Sequence, residues 1–157
     1  MKKFFAFSSL IIILLLAASS FAYDEVDEQY SPRQKNLGKD RAGIQWWIVD
    51  FGTSASGYYA IAREYYNTNA AAKSELVYAL TTRYGVSQSR AEDVYFAEFR
   101  FEYTSDGRQY TEVSRVLYDM RGEEICSYRA SYTSSFIPVI PNTVQSKGVA
   151  YAMGLIR

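Results

Sequence analysis

One stretch of the chain, residues 93–132, alternates so regularly that it restricts the fold more than any other part. Its first segment sets Tyr95, Ala97, Phe99, Phe101 and Tyr103 against Phe96, Glu98, Arg100 and Glu102. A period of two is the pattern of a half-buried strand. Tight turns at Gly107 and Gly122 then lead to predicted strands over residues 109–120 and 124–132. Because tight turns cannot join parallel strands, the three strands are predicted to be antiparallel neighbours in one sheet.

A helix is predicted over residues 70–84, which begin with alanines and place Leu76 and Leu80 one turn apart. Gly85 supplies the left-handed residue at which such a helix ends. Residues 58–66 fit two patterns: Tyr58, Ile61, Ala62 and Tyr65 share one helical face, with Ser56 as a cap, but tyrosine is also favoured in strands. We favour the helix, which predicts a helical hairpin.

The C-terminal segment is predicted to be an extended connector followed by a helix. Residues 137–141 contain two prolines and cannot form an interior strand, because proline donates no hydrogen bond to the ladder. Residues 144–155 are predicted to form a short closing helix, capped by Asn142 or Thr143 and weakened by Gly148.

The predicted fold class is α+β: an antiparallel sheet, at least a three-stranded meander, with helices packed on one face. Residues 44–51 are predicted to be the first ordered element, a short apolar strand followed by a loop. Residues 23–42 carry almost no large aliphatic side chains, and we expect a flexible lead-in there. Residues 43–157 are predicted to form a single domain.

Residues 1–22 have the three-part layout of a secretory signal peptide. Lys2 and Lys3 precede an apolar run, and small residues precede a predicted cleavage site between Ala22 and Tyr23. The apolar run is shorter than the roughly 20 residues that span a bilayer. We therefore expect an exported protein that is periplasmic, cell-surface or secreted, with no transmembrane anchor after processing.

The residue types exclude several classes of function. The chain has no histidine and one cysteine, Cys126, which excludes a histidine-ligated metal site, a Ser-His-Asp or Cys-His catalytic centre and a disulfide scaffold. Seventeen basic residues balance 17 acidic ones, which argues against nucleic acid as a partner. No motif indicates a cofactor or a metal, and we expect Cys126 to be a small core residue.

Carboxylates are the remaining groups that could perform acid–base chemistry: Asp50, Glu64, Glu98, Glu102, Glu112, Asp119, Glu123 and Glu124. A solvated strand face with cross-strand ion pairs accounts for Glu98 and Glu102, which alternate with Arg100. Asp119 lies beside a predicted turn and is interpreted as a turn residue. The sequence therefore predicts a protein that is not an enzyme.

Tyrosine is unusually abundant, with 15 residues. A tyrosine side chain combines a rigid apolar ring with a polar tip, which suits contact surfaces. The candidate binding residues are three adjacent aromatic pairs: Trp46, Trp47, Tyr58, Tyr59, Tyr65 and Tyr66. Adjacent rings on a strand or a helix cannot both point inward, so one ring of each pair is expected at the surface or beneath another element.

The main functional hypothesis is an exported, non-enzymatic module of the bacterial envelope that recognises an envelope or extracellular macromolecule through aromatic and arginine side chains. An alternative is a small-ligand pocket between helices and sheet, with a cavity lined by Tyr58, Tyr65, Phe99 and Phe101 and a carboxylate that permits chemistry. A third hypothesis is a subunit that forms homo-oligomers through its edge strands.

The C-terminal quarter contains a strand ending in Tyr118-Asp119, a turn at Gly122, a strand with Ile125-Cys126-Ser127 and the connector Ile137-Pro138-Val139-Ile140-Pro141-Asn142. This order resembles the surface-adhesin E family of small exported bacterial proteins. The resemblance implies an antiparallel sheet with a C-terminal helix packed on it, and binding of host matrix proteins. It also implies a disulfide between that helix and the sheet, but no cysteine follows Cys126.

Overall fold

The structure is a computed structural model that describes residues 34–130 and 135–157. Its strands are β1 Lys35–Lys39, β2 Gln45–Ser54, β3 Gly57–Tyr65, β4 Val94–Thr104, β5 Gln109–Asp119, β6 Glu124–Arg129 and β7 Ile137–Pro138. Its α-helices are α1 Ala70–Tyr84, α2 Gln88–Glu92 and α3 Val144–Ala152, and a 3-10 turn, Tyr66–Thr68, joins β3 to α1. The predicted signal peptide and residues 23–33 of the predicted lead-in lie outside the described residues.

The strands form one antiparallel sheet in which β1 to β6 follow each other in chain order. The short strand β7 pairs with the first residues of β5, beyond the end of β6. The predicted α+β class is confirmed, and the predicted meander is extended from three strands to six. None of the helices in the described ranges is long and apolar enough to cross a membrane.

Residues 57–65 form a strand, so the prediction of a helix over residues 58–66 is wrong. β3 is paired on both sides, and Ala62 lies between Ile48 of β2 and Phe99 of β4. This pairing buries Ala60 and Ala62 completely. Two ladders of backbone hydrogen bonds therefore outweigh a local pattern that fitted helix and strand almost equally. Ser56, proposed as a helix cap, lies instead in the turn of the β2–β3 hairpin.

The prediction of a flexible lead-in over residues 23–42 is wrong for residues 35–39, which form β1. β1 pairs with β2 along one edge of the sheet and inserts Leu37 into the core, where it is 3% exposed. Gly38 has a φ of 76° and lies at a shift in register between β1 and β2. A single aliphatic residue in a polar segment is thus enough to anchor a short edge strand when a partner strand is present.

One face of the sheet carries the core, and the helices pack on it. α3 crosses β2 and β3, where Ala60 and Ala62 leave room for a close approach. Gly148 of α3 lies so close to the sheet that an added Cβ would be 2.8 Å from Ala60 Cβ and 2.7 Å from Tyr103 Oη. Gly148 was predicted to weaken this helix, but its missing side chain is what permits the contact.

α1 confirms the prediction for residues 70–84 in both bounds and caps. The side chain of Asn69 accepts a hydrogen bond from the Ala72 N–H at its start, and Gly85 ends it in the left-handed conformation. Val77 and Leu80 are its buried residues. The short helix α2 was not predicted from the sequence, and Ser87 caps it.

The connector and the closing helix also agree with the sequence. Only residues 137–138 of the predicted connector join the sheet, and they do so opposite Gln109 and Tyr110. Thr143 caps α3 and forms a reciprocal capping box with Ser146. α3 ends at Ala152, three residues before the predicted end.

A candidate binding face

The sheet has two chemically different faces. Residues that are paired across strands point to the same face, so the pairing register shows on which face of the sheet each paired side chain lies. We call the helix-packed side the covered face: Trp46, Ile48, Ala60, Ala62, Glu64, Ala97, Phe99, Phe101, Tyr103, Arg115 and Leu117. We call the other side the open face: Trp47, Asp50, Tyr59, Ile61, Arg63, Tyr65, Phe96, Glu98, Arg100, Glu102, Val116 and Tyr118. The helices of the described chain pack on the covered face alone, as Gly148 and Leu80 show.

The three predicted aromatic pairs are divided between the faces. Trp47, Tyr59 and Tyr65 lie half-buried on the open face. Trp46 and Tyr66 lie in the core at 2% and 9% exposure. Tyr58, partly buried, also packs against the core. The expectation that one ring of each pair lies outside the core is therefore confirmed, and three of the six candidates share one surface.

An aromatic band, formed by Tyr65, Tyr95, Phe96 and Tyr118, crosses β3, β4 and β5 at one end of the open face. The ring centroids of Phe96 and Tyr118 are 5.0 Å apart, and those of Tyr65 and Phe96 are 5.7 Å apart. Tyr95 meets Tyr65 edge-on at 5.9 Å. The sequence placed Tyr95 on the opposite face from Phe96, but a shift in register between Val94 and Phe96 breaks the alternation there.

Arg63 ties the aromatic band to the charged part of the open face. Its Nε donates a hydrogen bond of 2.9 Å to Glu98 Oε2 across β3 and β4. Its guanidinium carbon lies 4.8 Å from the centroid of the Phe96 ring, in a cation–π contact. Burial acts to lower the pKa of Arg63, but the hydrogen bonds and charges of Glu98 and Tyr65 together outweigh it and raise the pKa. The predicted cross-strand ion pair on the Glu98 face is thereby confirmed.

Arg100 also pairs with a carboxylate and contacts a ring, but its carboxylate partner lies in the same strand, β4. Its Nη2 lies 3.1 Å from Glu102 Oε1, and its guanidinium carbon lies 4.7 Å from the centroid of the Tyr59 ring. The Tyr59 hydroxyl donates to Asp50 Oδ2 at 2.8 Å. Burial acts to raise the pKa of Glu102, but hydrogen bonds from the Ser56 hydroxyl and from Arg100 dominate and lower it.

Most aromatic rings on the open face of the sheet already contact other residues of the chain through their flat surfaces. Tyr59 lies against Gly52, where an added Cβ would be 3.0 Å from its ring, and Arg100 covers the ring from elsewhere. Phe96 is stacked with Tyr118 and contacted by Arg63. What the open face offers a partner is therefore a flat array of ring edges, guanidinium groups and carboxylates, with few rotatable bonds left to freeze.

The covered face contains a small cluster of polar groups beneath the helices. The Tyr66 hydroxyl donates to Glu64 Oε2 at 2.6 Å, and the Trp46 indole N–H donates to Asp40 Oδ2 at 3.1 Å. Glu64 as a whole is half-buried, but its carboxylate is enclosed, and this desolvation raises the pKa of Glu64 to about 7. The Tyr66 hydrogen bond and the charge of Arg115 oppose the rise without cancelling it.

Arg115 is the buried cation of this face, at 7% exposure. Its Nη2 lies 2.7 Å from Glu112 Oε2, and its guanidinium carbon lies 4.7 Å above the Phe99 ring. A small, partly open groove of about 30 Å³ lies beside it and is lined by Leu80, Tyr84, Arg115, Leu117, Cys126, Ser127 and Tyr128. Glu64 does not line this groove, so the carboxyl group that titrates near neutrality is not among the groups that a ligand there would meet.

The cavity expected from the sequence is not formed by the residues that were named for it. Phe99 and Phe101 are fully buried on the covered face, whereas Tyr65 lies on the open face. Cys126 is half-buried and packs against the core, whereas the sequence predicted a core residue, and burial raises the pKa of its thiol. A thiol with a raised pKa is mostly protonated at neutral pH and is a weak nucleophile.

Asp119 confirms its interpretation as a turn residue. Its Oδ1 accepts the backbone N–H groups of Arg121 and Glu123, each at 2.9 Å, and its Oδ2 lies 2.7 Å from Arg90 Nη1. The hydrogen bond from Arg90, followed by those from the backbone, lowers the pKa of Asp119. This carboxylate therefore joins α2 to the β5–β6 turn, and it is fully used in doing so.

Two further findings bear on function. Among residues 34–130 and 135–157, no three cysteine, aspartate or glutamate side chains lie close enough together to hold a metal ion. Comparisons of the chain with protein-family models, with curated proteins and with solved structures give no match.

Proposed function

We propose that this protein is an exported, non-enzymatic module that recognises an envelope or extracellular macromolecule through the open face of its sheet. The observation that carries the proposal is the concentration of half-buried rings and paired charges on the one sheet face that the described helices leave uncovered. Tyrosine, tryptophan and arginine are enriched where proteins bind each other, because rigid rings and planar guanidinium groups lose little entropy on binding. Export rests on the signal-like residues 1–22, and adhesion on the resemblance to the surface-adhesin E family.

The groove beside Arg115 gives weaker support to the alternative of a small-ligand protein. Arg115 already pairs with Glu112, and the groove holds no carboxylate of raised pKa. A ligand would have to compete with an ion pair whose side chains are 9% and 19% exposed.

An array of matrix proteins and glycans tests the proposal. Trp47→Ala and Arg63→Ala should each weaken binding to the array's best ligand at least about tenfold, the loss expected when a binding hot spot is removed. Tyr78→Ala is the matched control, because Tyr78 is 67% exposed on α1, which packs on the opposite side of the sheet. Binding that survives both open-face changes, or that falls equally in the control, contradicts the proposal.

A further inference from the structure

The open face carries charges of both signs, arranged in a way that can complement itself. Along β4, Glu98 and Arg100 point to this face two residues apart, near the middle of the strand. Each is paired within its own chain, Glu98 with Arg63 and Arg100 with Glu102. Their side chains are between 22% and 37% exposed, so they are held in place but still reachable.

We infer that the open face receives the open face of a second copy of this chain, through a two-fold axis that crosses β4 between Glu98 and Arg100. The inference rests on the proposed function, because it names one macromolecule that the open face binds. The charges of β3 and β4 on this face alternate in sign, so a surface with the same alternation can match them, whereas a polyanion or a polycation would meet like charges as well as opposite ones.

A two-fold axis at this point places opposite charges over each other. It lies in the plane of the interface and runs across the strands, so it reverses the direction of β4 and sets each Glu98 over the second copy's Arg100. On β3 the same operation sets Arg63 over the second copy's Ile61, and Tyr59 over the second copy's Tyr65. No like charges from these two strands face each other.

The size of the open face agrees with what a stable dimer needs. β2 to β6 are neighbours in one sheet, and β2 has 10 residues. β2 to β5 have 9 to 11 residues each and β6 has 6, so at about 3.3 Å per residue and a strand spacing of about 4.8 Å these five strands present a projected area of roughly 750 Å². Stable protein–protein interfaces bury about 800 Å² on each partner. Sheets also pack face to face readily, because two surfaces with the same twist fit each other.

Pairing through the open face also avoids the cost of burying lone charges. The four charged groups of β3 and β4 enter the interface with ion-pair partners in the same chain, so none of these four charges is left uncompensated. The β1 edge of the sheet is a poorer site for a second copy. β1 carries Lys35 and Lys39 and a break in register, the features with which sheets discourage pairing at an edge.

Analytical ultracentrifugation of the purified protein, expressed as the full chain, tests the inference without any substitution. We expect a concentration-dependent shift from monomer to dimer between about 0.1 and 100 μM, the range in which standard-size interfaces commonly associate. A monomer at every concentration overturns the inference.

Charge reversal then locates the interface. Glu98→Arg and Arg100→Glu should each weaken the dimer at least tenfold, because each places like charges opposite each other twice across the axis. The double variant Glu98→Arg/Arg100→Glu should regain most of the affinity, although both ion pairs within the chain are lost. Glu75→Arg on the exposed side of α1 is the matched control and should leave the dimer unchanged.

The outcomes separate this inference from the proposed function. A dimer that both single variants leave intact overturns the two-fold arrangement, as does a double variant that is no better than the singles while circular dichroism shows it folded. A monomeric protein whose array binding still depends on Trp47 and Arg63 overturns the dimer and leaves the binding-module proposal standing. A dimer with the predicted rescue, but no array ligand, supports the inference and contradicts recognition of other macromolecules.

Discussion

Glu64 shows how a single side chain makes the stability of this fold depend on pH. Its carboxyl group is enclosed on the covered face and accepts a hydrogen bond from Tyr66. The folded-state pKa is about 7, against 4.5 for the ordinary group. The protonated form is therefore the one that the folded state favours. Its contribution to the free energy of unfolding is complete below pH 4.5 and is lost as the pH rises through about 7.

We expect Glu64→Gln to remove this slope. The wild-type protein should lose at most about 3 kcal/mol of stability between pH 4.5 and 7.5 from this group, and the variant should not. Urea denaturation at several pH values, followed by circular dichroism, measures the difference. Glu75→Gln on exposed α1 is the control and should keep the wild-type slope. A variant that follows the wild-type curve would show that Glu64 is ionised in the folded state throughout.

Gly148 and Tyr103 make a second prediction for single residues. Glycine to alanine usually stabilises a helix by about 0.5–1 kcal/mol, but here the added Cβ meets Tyr103 Oη and Ala60. Gly148→Ala should therefore destabilise the protein by about 1–3 kcal/mol in thermal unfolding.

Tyr103→Phe is its counterpart, since within the described residues this buried hydroxyl has no hydrogen-bond partner. It should be neutral or stabilise the protein by up to about 1 kcal/mol, and it should relieve part of the cost of Gly148→Ala in the double variant. Additive effects of the two changes would mean that the clash lies with Ala60 alone.

At the scale of elements, the link between α2 and the β5–β6 turn depends on one carboxylate. Asp119 accepts two backbone N–H groups and pairs with Arg90, and it is 3% exposed. Because its pKa is lowered, the stability that it provides is present above the ordinary pKa of 3.8 and is lost as the pH falls through the folded-state pKa.

Asp119→Asn should lower the melting temperature by several degrees at pH 7 and flatten the loss of stability in acid. It should also speed hydrogen exchange in α2 and the β5–β6 turn before the rest of the sheet, since it loosens their connection. Glu123→Gln is the control, because Glu123 is 63% exposed and lies 3.8 Å from Arg90. Equal effects of the two substitutions would show that general charge, and not the Asp119 hydrogen bonds, holds the turn.

Elements with one strong local signal were predictable from the sequence. The alternation of β4, the turn at Gly107 and the capped helix α1 each depend on neighbouring residues alone. β1 and β3 were not predictable in this way. β3 is a strand because β2 and β4 flank it, and β1 because β2 offers a free edge, so both depend on residues distant in sequence.

Half of the candidate surface was also accessible to sequence reasoning. Neighbouring residues on a strand point to opposite faces, so the sequence predicts that one ring of each pair lies outside the core. The strand register then shows which of the two rings that is. Phe96 and Tyr118 were missed because one sits on the charged side of its strand and the other near a turn. Only cross-strand pairing shows that these two rings stack at 5.0 Å.

For the whole molecule, we expect a single cooperative unfolding transition. α1 and α3 both place residues in the one core cluster that also contains β2, β3 and β4, so the helices and the sheet share their apolar contacts. Far-ultraviolet circular dichroism and tyrosine fluorescence should therefore give coincident urea curves. Gly148→Ala should shift both curves to the same lower midpoint. Separate midpoints for the two probes would show that α3 detaches before the sheet unfolds.

The strands lie in the sheet in the same order as in the chain, and this order affects how the molecule can fold. Each strand from β2 to β6 pairs with the strand that precedes it in the chain, although α1 and α2 lie between β3 and β4, so pairing can proceed from the N-terminus while the rest of the chain is still being made. α3 is the exception, because it returns from the last residues to cover β2 and β3. Until α3 packs against the sheet, the alanines of β3 are exposed to other chains. The docking of α3 therefore completes the protection of this face against aggregation.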